Sequence, residues 1–170
     1  MGMRIAILAE SDYEDLELWY PLLRLREAGH DVTVIGTGSN ETYLSKHGYE
    51  VEVDLSITAA RPENFDGVII PGGWAPDKLR RYPQVNGFVR KMFENGKLVG
   101  SICHGGSVLV SAGILKGMKV TSVVAIKDDL INAGARYKDE EVVVDRNLIT
   151  SRRPPDLPAF MREILKALEK

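Results

Sequence analysis

Cys103 is the only cysteine in the 170-residue chain, and His104 follows it directly. A cysteine can be a small buried hydrophobe or, as a thiolate, a nucleophile. The flanking residues separate these two readings. In KLVGSICHGGSVLVSAG (Lys97 to Gly113) an apolar run leads in, two glycines follow, and a second apolar run leads out. A strand that ends at Cys103 and a helix that starts just after it would form a nucleophile elbow, in which a sharp turn lifts the reactive atom above a sheet. Gly100, Ser101, Gly105 and Gly106 are small enough for the crowding of such a turn. A thiol at a helix N-terminus meets free N–H groups and a positive dipole end, and both favour the thiolate. The same N–H groups can stabilise an oxyanion, with the Gly72-Gly73 backbone as a second donor. On a helix, neighbours i and i+1 do not face each other, so contact between His104 and Cys103 is not expected from spacing alone. His30 falls at a helix end and His47 in a predicted ribbon, where neither suggests chemistry.

An elbow needs a sheet to carry it. The runs MRIAILA (Met3 to Ala9), DVTVIG, GVII (Gly67 to Ile70) and LVGSI read as short strands buried on both faces. Between them lie LELWYPLLRLREAGH, with Leu16, Trp19, Leu22, Leu23 and Leu25 near helical spacing, and a helix around NGFVRKMFENG. Pro21 inside the first of these predicts a kink or an early break. Tyr49, Val51 and Val53 alternate with charged residues, which predicts an antiparallel ribbon. KVTSV, ARYK, EVVVD and LITS read as further short strands, SRRPPDLP as a loop, and DLPAFMREILKALEK as a closing amphipathic helix. This alternation predicts one α/β domain over residues 1–170, a three-layer flavodoxin-like sandwich with a mostly parallel sheet and helices on both faces. Ligands of such folds sit at the carboxyl ends of the strands, so the informative loops follow Ala9, Ile70 and Ile102. Glu14 and Glu17 lie one helical step apart after the first strand, and both can face that edge.

Composition excludes several classes. Lysine and arginine number 22 against 24 acidic residues, a net charge of −2, so no basic field exists to hold a nucleic acid. Hydrophobic residues at 44% and charged residues at 27% fit a soluble globular chain. A lone cysteine forms no intrachain disulfide and suits a reducing cytoplasm. The N-terminal run is too short for a membrane span and lacks the pattern of a signal peptide. ESDYED after the first strand would repel a phosphate, and no glycine-rich phosphate loop follows a strand. The third strand ends in Pro71-Gly72-Gly73, which lacks the aspartate of a receiver domain. Three histidines and one cysteine show no metal-ligand spacing, and no metal or other cofactor is expected.

Taken in order, DYEDLELWYPLLRLREAGHDV, KHGYEVEVD, FDGVIIPGGWAPDKLR, GKLVGSICHGG, IKDDLINAGA and EVVVDRNLITSR resemble the PfpI-type family of intracellular cysteine proteases and deglycases. That family shares its fold with class I glutamine amidotransferases, and the resemblance runs over essentially the whole chain. It implies Cys103 as nucleophile, His104 as its neighbouring histidine, and Asp77 at a position where the family often has a glutamate reaching the histidine from an adjacent subunit. It implies Glu17 as the acid hydrogen-bonded to the sulfur and Glu14 as a second acid lining the site. The oxyanion hole maps onto Gly72, Gly73 and the backbone after Cys103, including Gly105. Dimers and hexamers are the family's usual assemblies. The chain departs from the pattern at Gly106, where proline is common, at Val123, where many relatives have tyrosine, and at Trp74, which replaces a smaller or basic residue.

Three chemistries compete on these residues. Cys103 can attack glyoxal-derived adducts on amines, thiols and guanidines, or convert a free dicarbonyl to a hydroxy acid. It can hydrolyse peptides, with His104 and a partner's Asp77 completing a triad. It can act without catalysis, as a redox sensor whose thiol oxidises to a sulfinate. Glutaminase action is disfavoured, because amidotransferases take a histidine from near the C-terminus and this chain has none after His104. The carbonyl chemistry is the favoured expectation, because it requires only a poised thiolate and nearby acid–base groups.

Overall fold

A computed structural model describes residues 2–170. In chain order the elements are β1 (Arg4–Ala9), α1 (Asp15–Glu27), β2 (Asp31–Gly36), β3 (Thr42–Leu44), β4 (Glu50–Glu52), β5 (Leu55–Ser56), β6 (Gly67–Ile70), α2 (Ala75–Leu79), α3 (Pro83–Glu94), β7 (Leu98–Ile102), α4 (Gly106–Ala112), β8 (Lys119–Val120), α5 (Lys127–Asn132), β9 (Arg136–Tyr137), β10 (Val142–Asp145), β11 (Leu148–Ser151) and α6 (Leu157–Leu168). Seven strands form one sheet in the order β10-β11-β7-β6-β1-β2-β5. Every pairing in it is parallel except that of β10 with β11. The α/β architecture expected from strand–helix alternation is therefore present.

The chain winds outward in both directions from the middle of this sheet. β1 is followed by its neighbour β2 on one side, whereas β6 pairs on the other side of β1 and leads on to β7. That reversal leaves a crevice at the carboxyl ends of the central strands. Ile5 to Ala9, Val68 to Ile70 and Val99 are fully or almost fully buried, because helices cover both faces of these strands. α1 and α6 pack together, and α4 packs against α2, α3 and α5.

Several elements differ from the sequence expectation. α1 runs through Pro21 without a break. Proline at the seventh position forfeits one backbone hydrogen bond, and Pro21 is buried, as are Leu18, Leu22 and Leu25 of the same helix. Leu16 and Leu23, expected on the inner face, are each 56% exposed. α2 and α5 are short helices without a clear apolar period. The ribbon is formed as expected by β3 and β4, which pair antiparallel. β8 and β9 pair with each other in parallel, outside the large sheet. Among the described residues no helix is long and apolar enough to cross a membrane.

Candidate active site

Three adjacent strands deliver the site. The loop after β1 ends in Glu14 and leads into α1, whose first turn carries Glu17; the loop after β6 carries Gly72, Gly73 and Trp74, and β7 ends directly before Cys103. Cys103 has φ = 60°, in the left-handed region that a β-carbon disfavours. Such strain at the end of a buried strand is the geometry of the nucleophile elbow. The chain enters α4 through a short 3₁₀ turn, Cys103–Gly105, so the helix starts three residues after the sulfur.

The structure brings His104 to Cys103, a contact that spacing alone did not predict. Its Nδ1 lies 3.4 Å from Cys103 Sγ. The spacing rule that separates i from i+1 applies to helical residues, and Cys103 is not helical. The His104 ring also lies 5.6 Å from that of Trp74, tilted by 39°. Burial, followed by the nearby Lys46 charge, lowers the imidazole pKa and favours its neutral form. Within the chain, no acid is hydrogen-bonded to His104 among the described residues. Asp77 lies in α2 with its side chain 68% exposed, and it pairs with Arg81 at 2.5 Å.

Glu17 is completely buried. Its Oε1 accepts the Gly72 N–H at 2.9 Å. Its Oε2 has no hydrogen-bond partner among the described residues, and the carboxyl as a whole is close enough to the Cys103 thiol to interact with it. Burial and then the Glu14 charge push the Glu17 carboxyl up to about 8, so it holds its proton at neutral pH. Glu14 caps α1, its Oε2 accepting the N–H groups of Leu16 at 2.8 Å and Glu17 at 3.0 Å. It therefore stands just outside the helix rather than on a shared helical face with Glu17.

Burial, together with the charge that Glu17 carries when ionised, pushes the Cys103 thiol up to about 12. The N–H groups of His104 and Gly73 and the Lys46 charge act in the opposite direction. A neutral Glu17 removes the repulsion and leaves these donors facing the sulfur. Gly73 and His104 thus supply the N–H groups near the Cys103 sulfur, whereas Gly72 gives its own to Glu17. Both glycines are required sterically. A β-carbon on Gly72 would lie 2.5 Å from Glu17 Oε1 and 2.8 Å from Cys103 Cβ, and one on Gly73 would lie 2.4 Å from the Glu14 nitrogen. A β-carbon on Gly106 would meet only side-chain methyls, that of Ile126 at 3.1 Å, just before α5.

These groups line a pocket of about 210 Å³ whose walls include Glu14, Glu17, Gly73, Trp74, Cys103 and His104. Sequence reasoning missed Lys46 and Arg153 in the same walls. Lys46 sits in the turn of the β3–β4 ribbon, and Arg153 in the proline-rich segment before α6, where no motif marks either residue.

The DJ-1/PfpI family model matches residues 3–167. The chain belongs to the DJ-1/PfpI family. A deglycase of Pyrococcus horikoshii is 48% identical over 98% of this chain and all of that protein. The deglycase PfpI of Pyrococcus furiosus is 47% identical over the same shares. Among solved structures, a two-domain protein of Anabaena variabilis with DJ-1/ThiJ/PfpI-like and ferritin-like domains superposes with a TM-score of 0.97 at 46% identity. The match covers 99% of this chain and 48% of that longer one. DJ-1beta of Drosophila melanogaster gives a TM-score of 0.92 at 29% identity, covering 99% of this chain and 91% of its own. The flavodoxin-like fold expected from the sequence is thus a DJ-1/PfpI fold, and several of the relatives at nearly half identity are named deglycases.

Proposed function

We propose that this DJ-1/PfpI protein is a cysteine-dependent deglycase, with Cys103 as nucleophile acting on small reactive carbonyls and the adducts they leave on amines, thiols and guanidines. The observation that carries this reading is the buried Glu17 carboxyl, with one oxygen lacking a partner, near the Cys103 thiol at a strained elbow. A neutral carboxyl there donates a hydrogen bond to a thiolate, while a charged one would repel it. The thiolate adds to the aldehyde carbon of a dicarbonyl and gives a hemithioacetal. A proton then moves from that carbon to the adjacent one through an enediol, carried by Glu17 or His104, and the product is a thioester. Water hydrolyses the thioester, releasing a hydroxy acid and the free thiol. From an adduct, the amine, thiol or guanidine departs first and takes a proton with it.

Peptide hydrolysis is the less favoured reading, because it requires an acid on His104 that this chain does not itself supply. It would need Asp77 from a second copy, within a dimer or hexamer. Redox sensing through Cys103 leaves the surrounding acid–base groups without a task. The test is a parallel assay of the purified protein on methylglyoxal, on a methylglyoxal-modified amino acid and on a fluorogenic peptide, with Cys103→Ala as control. Cys103-dependent turnover of the first two is expected, and turnover of the peptide alone would replace this reading with the peptidase.

A further inference from the structure

The pocket at Cys103 does not end at its own walls. A second cleft, of about 290 Å³, shares Val123 and Arg153 with it. Val123 stands next to the nucleophile, its N–H donating to the Cys103 carbonyl at 3.5 Å. The second cleft is lined by three cations, Lys127, Arg152 and Arg153, and one acid, Asp139. Asp139 is already bound by Arg152 at 2.9 Å, and Arg152 is further held by Asp156. Lys127 lies over the Tyr137 ring. Arg153, at the junction, has no carboxylate within ion-pair distance among the described residues, and neither does Lys46 on the ribbon side of the catalytic pocket. Of the acids in that pocket, Glu17 is neutral below about pH 8 and Glu14 is committed to capping α1. Two cations that make no ion pair, Lys46 and Arg153, therefore flank the thiol against one charged acid, Glu14, and the positive charge continues into the adjoining cleft.

We propose that this cleft is a carboxylate subsite, so that the enzyme selects substrates with a negatively charged group near the reacting carbon: adducts on free amino acids or on C-terminal residues, and α-oxo acids, in preference to neutral adducts within a chain. The subsite rests on the deglycase reading for its substrate class but not for its charge preference. Arg153 binds the carboxylate, and Lys46 attracts it to the mouth.

The test uses two alkylating probes of nearly equal size, iodoacetate and iodoacetamide, on the native protein. Their rate ratio at Cys103 reports charge preference and cancels changes in thiol reactivity. The ratio should exceed that of N-acetylcysteine under the same conditions, by about three- to tenfold at low ionic strength, and fall towards it in salt. Arg153→Gln and Lys46→Gln should each lower it. In parallel, the methylglyoxal adduct of N-acetylarginine should show a lower KM than that of N-acetylargininamide, and Arg153→Gln should remove the difference. A ratio no higher than that of N-acetylcysteine and unchanged by both substitutions overturns the subsite, as does a Cys103 that neither reagent reaches. A raised ratio without Cys103-dependent turnover would remove the deglycase activity and keep the subsite. Normal turnover with an unchanged ratio would do the reverse.

Discussion

Cys103 Sγ and His104 Nδ1 lie 3.4 Å apart although the two residues are adjacent in the chain. Cys103 adopts a left-handed backbone at φ = 60°, so the spacing of an ordinary right-handed helix does not hold between the two residues. A neutral imidazole there can accept the thiol proton or donate to the thiolate. The contact is made within one copy of the chain.

Glu17 should control the thiol. Removing a donor to a charged group costs about 1.5–3 kcal/mol, so Glu17→Leu should raise the apparent thiol pKa by about one to two units. Glu17→Gln should do less, because an amide still donates. Thiolate absorbance in the ultraviolet, followed against pH, reads both variants. Superimposable curves for wild type and Glu17→Leu would assign the activation to the backbone N–H groups instead. The two groups share a proton, so the fitted values belong to the pair.

Glu17 should also impose a pH dependence on stability. Its folded pKa of about 8 lies above the ordinary value of 4.5. A raised acid contributes most below its unfolded pKa, and that contribution is lost as pH rises to the folded pKa. Between pH 4.5 and 8 wild type should lose up to about 1.4 kcal/mol per pH unit relative to Glu17→Gln. Melting temperatures of both proteins at pH 5 and pH 8 measure this. Parallel curves would mean that Glu17 is ionised throughout.

The turn after β6 should tolerate no side chain. Gly73→Ala forces φ = 73° on alanine and sets its β-carbon 2.4 Å from the Glu14 nitrogen. A loss of about 1–3 kcal/mol is expected. Gly87→Ala, in exposed α3 with nothing within 4 Å of the new atom, should instead stabilise by about 0.4–1 kcal/mol. Urea midpoints compare the two, and equal effects would contradict the steric account.

Asp77 tests the role of assembly. Light scattering should find a dimer or larger species. Asp77→Ala should leave Cys103 alkylation intact while weakening any peptide hydrolysis. A monomer with full peptidase activity would leave Asp77 no part in catalysis.

Much of this site was legible before the fold was known. Cys103 was marked by the apolar run before it and the glycines after it, and Gly72-Gly73 by the strand that precedes them. Glu17 was marked by its place at the start of α1. These signals are local, so they survive in a linear sequence. The contact of His104 with Cys103 was not legible, because it depends on one strained dihedral that side-chain identity does not reveal. The unbroken path of α1 through Pro21 depends on burial of that ring in the core, a tertiary effect. Lys46 and Arg153 come from segments distant in sequence and carry no periodicity or motif, so only the folded chain brings them to the same mouth.

The claim that matters most is that Cys103 forms a bond to substrate. Native protein mixed with methylglyoxal and quenched in acid within the first turnovers should show a mass gain of one substrate, located by fragmentation on Cys103. Cys103→Ala should show neither that adduct nor turnover, with activity down by about a thousandfold or more. Turnover that persists in Cys103→Ala, or a wild-type protein that turns over with no label on Cys103, would contradict the account.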